Sequence, residues 1–236
     1  MVNSRQIATS SSWVLLLQHQ CQTAKTWKGA GGIAVYCANK YSGKIKIWRQ
    51  DLAFLTRIWL ECDKSLFQCN EALLLCAVYF PPVGSGLYSR ITIEELYQDL
   101  LLEVAQARVV GQVIITGDLN ARTGTLPDCL DPTLAEHLDL PMDEEFDVFL
   151  YQAPVRQSLD TQVNAFGRHL LHLCQASGLH ILNGRTTGDT PAQFTSHANA
   201  GHTVIDYFIA SAHLCNKALH LKVQGIIPSS DHYPVL

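Results

Sequence analysis

VIITGDLN, at residues 113–120, joins an apolar run to an Asp and an Asn two positions apart. Val113, Ile114, Ile115 and Thr116 are β-branched and few enough for a buried strand, and Gly117 lets the backbone turn sharply. A strand that stops at Asp118 sets a carboxylate and the Asn120 carboxamide on the same side of the extended chain. Such a pair suits a metal-assisted site.

The neighbouring chain supplies the frame for that strand. Just upstream, Thr92 and Glu95 form a capping box, and Leu96, Leu100, Leu101 and Val104 share one apolar face, which predicts a helix through about residue 108. Farther back, GGIAVYC at 31–37, the alternating KIKIW at 44–48, the β-rich stretch 52–62 and EALLLCAVYF at 71–80 predict strands; Pro81 and Pro82 stop the last one. The first twelve residues are polar and expected to be loose. Downstream, residues 121–160 are rich in Asp, Pro and Leu with weak periodicity, which predicts a long surface excursion. Asn164 as N-cap and Gly178 as C-cap bound a second helix, with Phe166, Leu170, Leu173 and Cys174 on one face. Strands are expected at 180–182, around Phe194, at 204–210 and at 221–227. Many strands with few, separated helices predict an α+β sandwich with sheets packed inside helices.

The 236 residues, 47% of them hydrophobic and 16% charged, suit one well-cored domain. The net charge of -4 argues at first against an anionic partner. Eight of the 21 acidic residues, however, lie between Asp128 and Asp147, where there is no Lys or Arg, and the remaining 13 acids face 17 bases. Seven basic residues and no acidic one precede Asp51. One face is thereby free to meet a phosphate backbone, or is simply a solvated basic edge. The eight cysteines include no CxxC and mostly sit in apolar runs, so reduced core thiols are expected. The run at 13–17 is too short to span a bilayer and lacks the flank of a signal peptide, so an intracellular chain, nuclear or cytoplasmic, is expected, with no membrane partner.

Four stretches carry the candidate chemistry: VYFPP at 78–82, GDLN at 117–120, VIDYFIAS at 204–211 and SSDHYPVL at 229–236. Asp206 stands inside an apolar strand, where an unpaired carboxylate is costly, and His232 is the obvious partner. Asp118 and Asp231 offer hard oxygens to a divalent cation. Taken singly, Tyr79, Thr195 and Ser230 read as ordinary strand or turn residues. Arg122 and Arg185 read either as phosphate contacts or as solvated arginines, and the pairs His169/His172 and His197/His202 as surface or core residues rather than metal ligands.

In this order and spacing the four stretches resemble the endonuclease/exonuclease/phosphatase superfamily, Mg²⁺-dependent phosphodiesterases built as a DNase I-like, four-layer αββα sandwich. The resemblance runs from about Gly31 onward. It is closer to the endonuclease domain of non-LTR retrotransposons, through VNAFGRHLLHLCQASGLHILNGR at 163–185, FTSHANAGHTVIDYFIAS at 194–211, SDHYPVL at 230–236 and Pro82. The resemblance implies that Asp118 orients or deprotonates the attacking water and that Asn120 holds that water and a phosphate oxygen. Asp206 would orient His232 against the scissile phosphate, Asp231 would ligate Mg²⁺ or Mn²⁺, and Tyr79 would donate to the phosphate. Thr195 and Ser230 would be supporting or substrate contacts, beside Arg122 as the candidate phosphate contact named above. A metal, a carboxylate and an imidazolium are the groups that phosphodiester hydrolysis needs.

The chain departs from that family at its start. Members carry an early strand with an Asn and a strand ending in Gln-Glu; here WVLLLQ at 13–18 is followed by His19, and no Glu precedes Glu61. A loose segment at 1–28 and a domain at 29–236 that lacks its first strands, with its last cut short, are therefore expected. The leading function is a Mg²⁺-dependent endonuclease acting on duplex DNA. The alternatives are a catalytically impaired remnant lacking the metal-binding Glu, and a phosphatase of the same superfamily.

Overall fold

A computed structural model of the protein describes residues 8–10, 13–20, 32–129, 155–198, 201–215, 217, 220–228 and 230–236. Its strands are β1 (Ala8–Ser10), β2 (Trp13–Gln20), β3 (Gly32–Ala38), β4 (Ile45–Gln50), β5 (Arg57–Cys62), β6 (Ala72–Tyr79), β7 (Gly111–Asp118), β8 (Leu179–Ile181), β9 (Ser196–Ala198), β10 (Gly201–Thr203) and β11 (Asp206–Ser211). The α-helices among the described residues are α1 (Ile93–Val110), α2 (Ala165–Ser177) and the single turn α3 (Ala212–Cys215), and short 3-10 turns lie at Asn39–Lys44, Lys64–Leu66 and Gly86–Ser89.

Strand β6 alternates as the pleat requires. Leu74, Cys76 and Val78 point to one face and Leu73, Leu75, Ala77 and Tyr79 to the other. It lies parallel to β7, joined by α1 as a crossover, at the centre of a six-stranded mixed sheet ordered β4-β5-β6-β7-β11-β8. Its first face packs on Leu96, Leu100 and Val104 of α1 and on Phe166, Leu170 and Cys174 of α2. Its second face, with Ile58 and Leu60 of β5 and Phe208 and Ala210 of β11, packs on Ile33 and Val35 of β3. Each fully buried large side chain contributes roughly 1.5–3 kcal/mol. The result is an α+β sandwich; the described residues supply a helical layer, the large sheet and a smaller sheet ordered β1-β2-β3.

Both long helices start where their caps dictate. Thr92 Oγ1 accepts from the Glu95 amide while the Glu95 carboxylate accepts from the Thr92 amide. Asn164 Oδ1 accepts from the Gly167 amide, and Gly178, at φ 64, ends α2 in the left-handed conformation. Glu103, in the interior of α1, is buried and accepts from Arg57 Nε at 3.0 Å, Arg57 Nη2 at 3.1 Å and Trp59 Nε1 at 2.7 Å. That network pins α1 to β5.

Four expectations are corrected. The segment before residue 29 is not wholly loose, and the sheet does not lack strands ahead of β3. Strand β2 runs antiparallel to β3 from Trp13 opposite Ala38 to Gln20 opposite Gly32, giving that edge a hydrogen-bonding partner. No strand forms around Phe194; the pairing begins two residues later, in the β9–β10 hairpin. Residues 221–227 make no regular strand but pair irregularly with the closing segment, Lys222 and Leu236 exchanging both backbone bonds at 2.7 and 2.9 Å. Of the excursion expected at 121–160, residues 130–154 lie outside the described residues. Its two ends are buried rather than on the surface: Asp128 is fully buried against the Arg185 guanidinium, and Arg156 is buried with Nη2 donating to the Leu126 carbonyl. Among the described residues no helix is long and apolar enough to cross a membrane, and no disulfide joins one described cysteine to another.

Candidate active site

Three adjacent strands deliver three side chains to one place. Tyr79 at the end of β6 lies opposite Asp118 at the end of β7, and Asp118 lies opposite Asp206 at the start of β11. Pleat alternation puts all three on the face toward the smaller sheet, with Ala77, Ile114 and Phe208 behind them. The last turn of β7 depends on Gly117, whose φ of 134 and close approach to the Val78 carbonyl leave no space for a side chain.

Beyond Asp118 the chain bends through Asn120, which adopts φ 47, a left-handed conformation that Asn tolerates better than most residues. The bend is held by the residues that make it. The Asn120 amide donates to Asp118 Oδ1 at 2.9 Å, and Asn120 Nδ2 donates to Asp118 Oδ2 at 3.1 Å and to the Phe80 carbonyl at 2.8 Å. Asn164 serves twice here. Besides capping α2, its Oδ1 accepts from the Arg122 amide and its Nδ2 donates to the Asn120 carbonyl.

His232 arrives on the closing segment. Its Nδ1 stands 2.9 Å from Asp206 Oδ2 and 3.1 Å from Oδ1, and its Nε2 lies 3.9 Å from Asp118 Oδ2. The imidazole thus bridges two carboxylates, bonded to one and separated from the other by more than a direct hydrogen bond. The bond to Asp206 raises its pKa to about 9, against the opposing effect of burial. Burial, followed by the charge of Asp206, pushes Asp118 up to about 7. A cationic imidazole and a carboxyl poised near neutrality therefore face each other.

The remaining expected site residues fall into different places. Ser230 Oγ accepts from the His232 amide at 3.1 Å, so it shapes the turn that presents the imidazole. Thr195, expected as a supporting or substrate contact, is fully buried, and its Oγ1 accepts from the amides of Ile205 and Asp206, both at 3.0 Å. It cannot reach a substrate here and instead fixes the start of β11. Arg122, expected at a phosphate, forks onto Asp160, with Nε donating at 2.8 Å and Nη2 at 2.6 Å. Two charge-assisted bonds commit that guanidinium to Asp160. Arg185 is likewise committed to Asp128.

Asp231 is exposed on the same turn as His232, and its charge adds to the upward push on Asp118. Among the described residues no three His, Cys, Asp or Glu side chains gather as a ready-made cage. The donor chemistry nevertheless fits a hard divalent cation. Three carboxylates, Asp118, Asp206 and Asp231, act on one imidazolium, and Mg²⁺ is commonly held by one or two carboxylates together with water and substrate phosphate. The histidine pairs give no such set: His169 stacks on Tyr97, His202 leans on Phe194 and His197 on Tyr233.

Ser196 was not evident from sequence. Its hydroxyl donates to the Asp231 carbonyl at 3.0 Å beside the His197 amide at 2.8 Å, while the Thr195 carbonyl accepts from Tyr233. Residues 195–197 therefore hold both Asp206 and the turn carrying His232. A lone Ser in a polar hairpin carries no mark of that role.

A family model described as the Endonuclease/Exonuclease/phosphatase family matches residues 14–232. No curated protein matches the sequence. Among solved structures, the endonuclease domain of TRAS1, a telomere-specific non-LTR retrotransposon, is similar with a TM-score of 0.51 at 16% identity, over 92% of this chain and 77% of that one. The catalytic domain of Xenopus laevis APE2 gives 0.49 at 20% identity, over 77% and 54% of the two chains. The 3'-5' exonuclease NExo from Neisseria meningitidis gives 0.47 at 16% identity, over 81% and 68%.

Proposed function

The chain belongs to the Endonuclease/Exonuclease/phosphatase family, and on that footing we propose that it is a Mg²⁺-dependent phosphodiester hydrolase that nicks duplex DNA, of the non-LTR retrotransposon branch. The observation that carries the reading is the convergence of Asp118, Asp206 and His232 at neighbouring strand ends. Asp118 takes the proton of the attacking water, its basicity matched to neutral solution. Asn120, fixed against Asp118 by two bonds, orients that water and a phosphate oxygen. His232, kept cationic chiefly by Asp206, turns Nε2 toward the phosphate, and its 3.9 Å separation from Asp118 leaves a place for a bridging oxygen. Tyr79, beside Asp118, donates to the phosphate as charge develops. Asp231 is the residue that would hold Mg²⁺ or Mn²⁺, whose charge would neutralise the phosphate.

DNA as substrate is supported by the seven basic and no acidic residues before Asp51, and action inside the cell, in nucleus or cytoplasm, by cysteines such as Cys37, Cys76 and Cys174 that sit as buried thiols in apolar runs. The test is nicking of supercoiled plasmid in MgCl₂, with His232→Ala and EDTA beside it. Nicking abolished in both controls is the expected result. A folded protein that never nicks refutes the reading and favours a catalytically impaired remnant. Release of inorganic phosphate from monoesters without nicking moves the activity to a phosphatase.

A further inference from the structure

We propose that Asn183 is a positioning residue that fixes Asp206, and through it His232, by standing in for a strand where β11 loses its neighbour. The inference rests on the functional reading above. Strand β8 pairs with β11 only at Ile209, Ala210 and Ser211, and one further bond follows, from the Leu182 amide to the Phe208 carbonyl at 2.8 Å. The chain then turns away at Gly184, where φ is 84. On that side of β11 the Phe208 amide and the Asp206 carbonyl are left beyond the end of the ladder.

Asn183 fills the gap with its side chain. Its Oδ1 accepts from the Phe208 amide at 2.9 Å and its Nδ2 donates to the Asp206 carbonyl at 3.2 Å. The residue is fully buried. A primary amide is one of the few side chains that offers an acceptor and a donor side by side, the pattern that an adjoining peptide group would present. From the other edge β7 holds Asp206 opposite Asp118, and Thr195 accepts from the Asp206 amide. The peptide carrying the Asp206 carboxylate is therefore gripped on both edges.

The carboxylate is only two rotatable bonds from that backbone, so its aim at His232 Nδ1, 2.9 Å away, follows the peptide's position. Without Asn183 two half-buried peptide groups have no protein partner, and the first residues of β11 are free to fray toward water. The imidazole then loses its fixed tautomer and direction even though every group that meets the substrate is still present.

The test uses the full chain and two substitutions, Asn183→Leu, close to isosteric but without hydrogen-bonding groups, and Asn183→Ala. Its primary readout needs neither metal nor turnover: the low-field proton resonance of His232 Nδ1, assigned by its disappearance in His232→Ala. Both substitutions are expected to broaden or abolish that resonance while circular dichroism stays native. In the nicking assay kcat falls about tenfold or more with KM within about twofold, the signature of misorientation rather than lost binding. Asn183→Asp at pH 6, its buried carboxyl protonated, keeps an acceptor and a donor and is expected to keep the resonance. An unchanged resonance and kcat in the Leu and Ala variants overturn the proposal. If neither variant folds, amide exchange in the unsubstituted protein decides it: a Phe208 amide as protected as that of Ile209 supports the bond to Asn183, and a rapidly exchanging one overturns it. An unsubstituted protein that never nicks refutes the endonuclease reading alone, because the resonance and the exchange rates still judge Asn183.

Discussion

Replacing Glu103 by Ala strands a buried guanidinium. Arg57, 3% exposed, loses the acceptors at 3.0 and 3.1 Å, and Trp59, 0% exposed, loses the one at 2.7 Å. Breaking one side of a buried ion pair costs roughly 3–5 kcal/mol, and orphaning a buried indole N–H roughly 1–3 more. Asp51 Oδ2, 3.9 Å from Arg57 Nη1, remains and offsets part of the loss. A net destabilisation of about 4 kcal/mol is expected, about a thousandfold in the unfolding equilibrium constant. Equilibrium urea denaturation reads it directly. The cost is assigned to the stranded charge, so Arg57→Met combined with Glu103→Leu should recover most of it, to within about 2 kcal/mol of the parent protein. A single variant that loses less than about 1 kcal/mol, or a double variant no better than the single, refutes the reasoning.

Asp118→Asn should reduce plasmid nicking by about a hundredfold or more while leaving the urea midpoint unchanged or higher, because it removes the proposed base and relieves repulsion with Asp206; nicking at the parent rate contradicts the role. Burial holds His180 down to about 4, so between its unfolded value near 6.5 and that value the unfolded chain takes up a proton that the folded one refuses. Stability therefore falls as pH drops through that window, by up to about 3 kcal/mol, and urea midpoints at pH 7, 5.5 and 4.5 should show a steeper loss in the parent than in His180→Leu. Gly167→Ala places a methyl against the Arg122 carbonyl and should lower stability by about 2 kcal/mol or more, measured by thermal melting; an unchanged melting temperature excludes the contact.

Much of the frame is legible in the sequence because its signals are local. The Thr92–Glu95 box and the Asn164 and Gly178 caps sit within one helical turn of the groups they satisfy, and the alternation of β6 needs only its own eight residues. Asp118 and Asn120 stand out for the same reason, as polar residues at the end of an apolar run. Asp206 and His232 form a more distant pair, yet a carboxylate inside VIDYFIA demands a partner, and the tertiary structure supplies it 26 positions away.

The contacts that sequence leaves open depend on partners that no short window contains. Arg122 is fixed by Asp160, 38 residues on, and Thr195 by amides 10 and 11 residues away. Glu103 reads as an ordinary polar position on a helix until β5 brings Arg57 and Trp59 beneath it. Strand β2 is not legible in the sequence because an apolar run acquires the identity of a strand only when another edge accepts its hydrogen bonds. Sequence alone thus determined the elements and the chemical types available to the site. The tertiary structure decided which polar groups meet substrate and which are spent on one another, because burial makes every donor and acceptor find a partner, and the nearest partner in space is seldom the nearest along the chain.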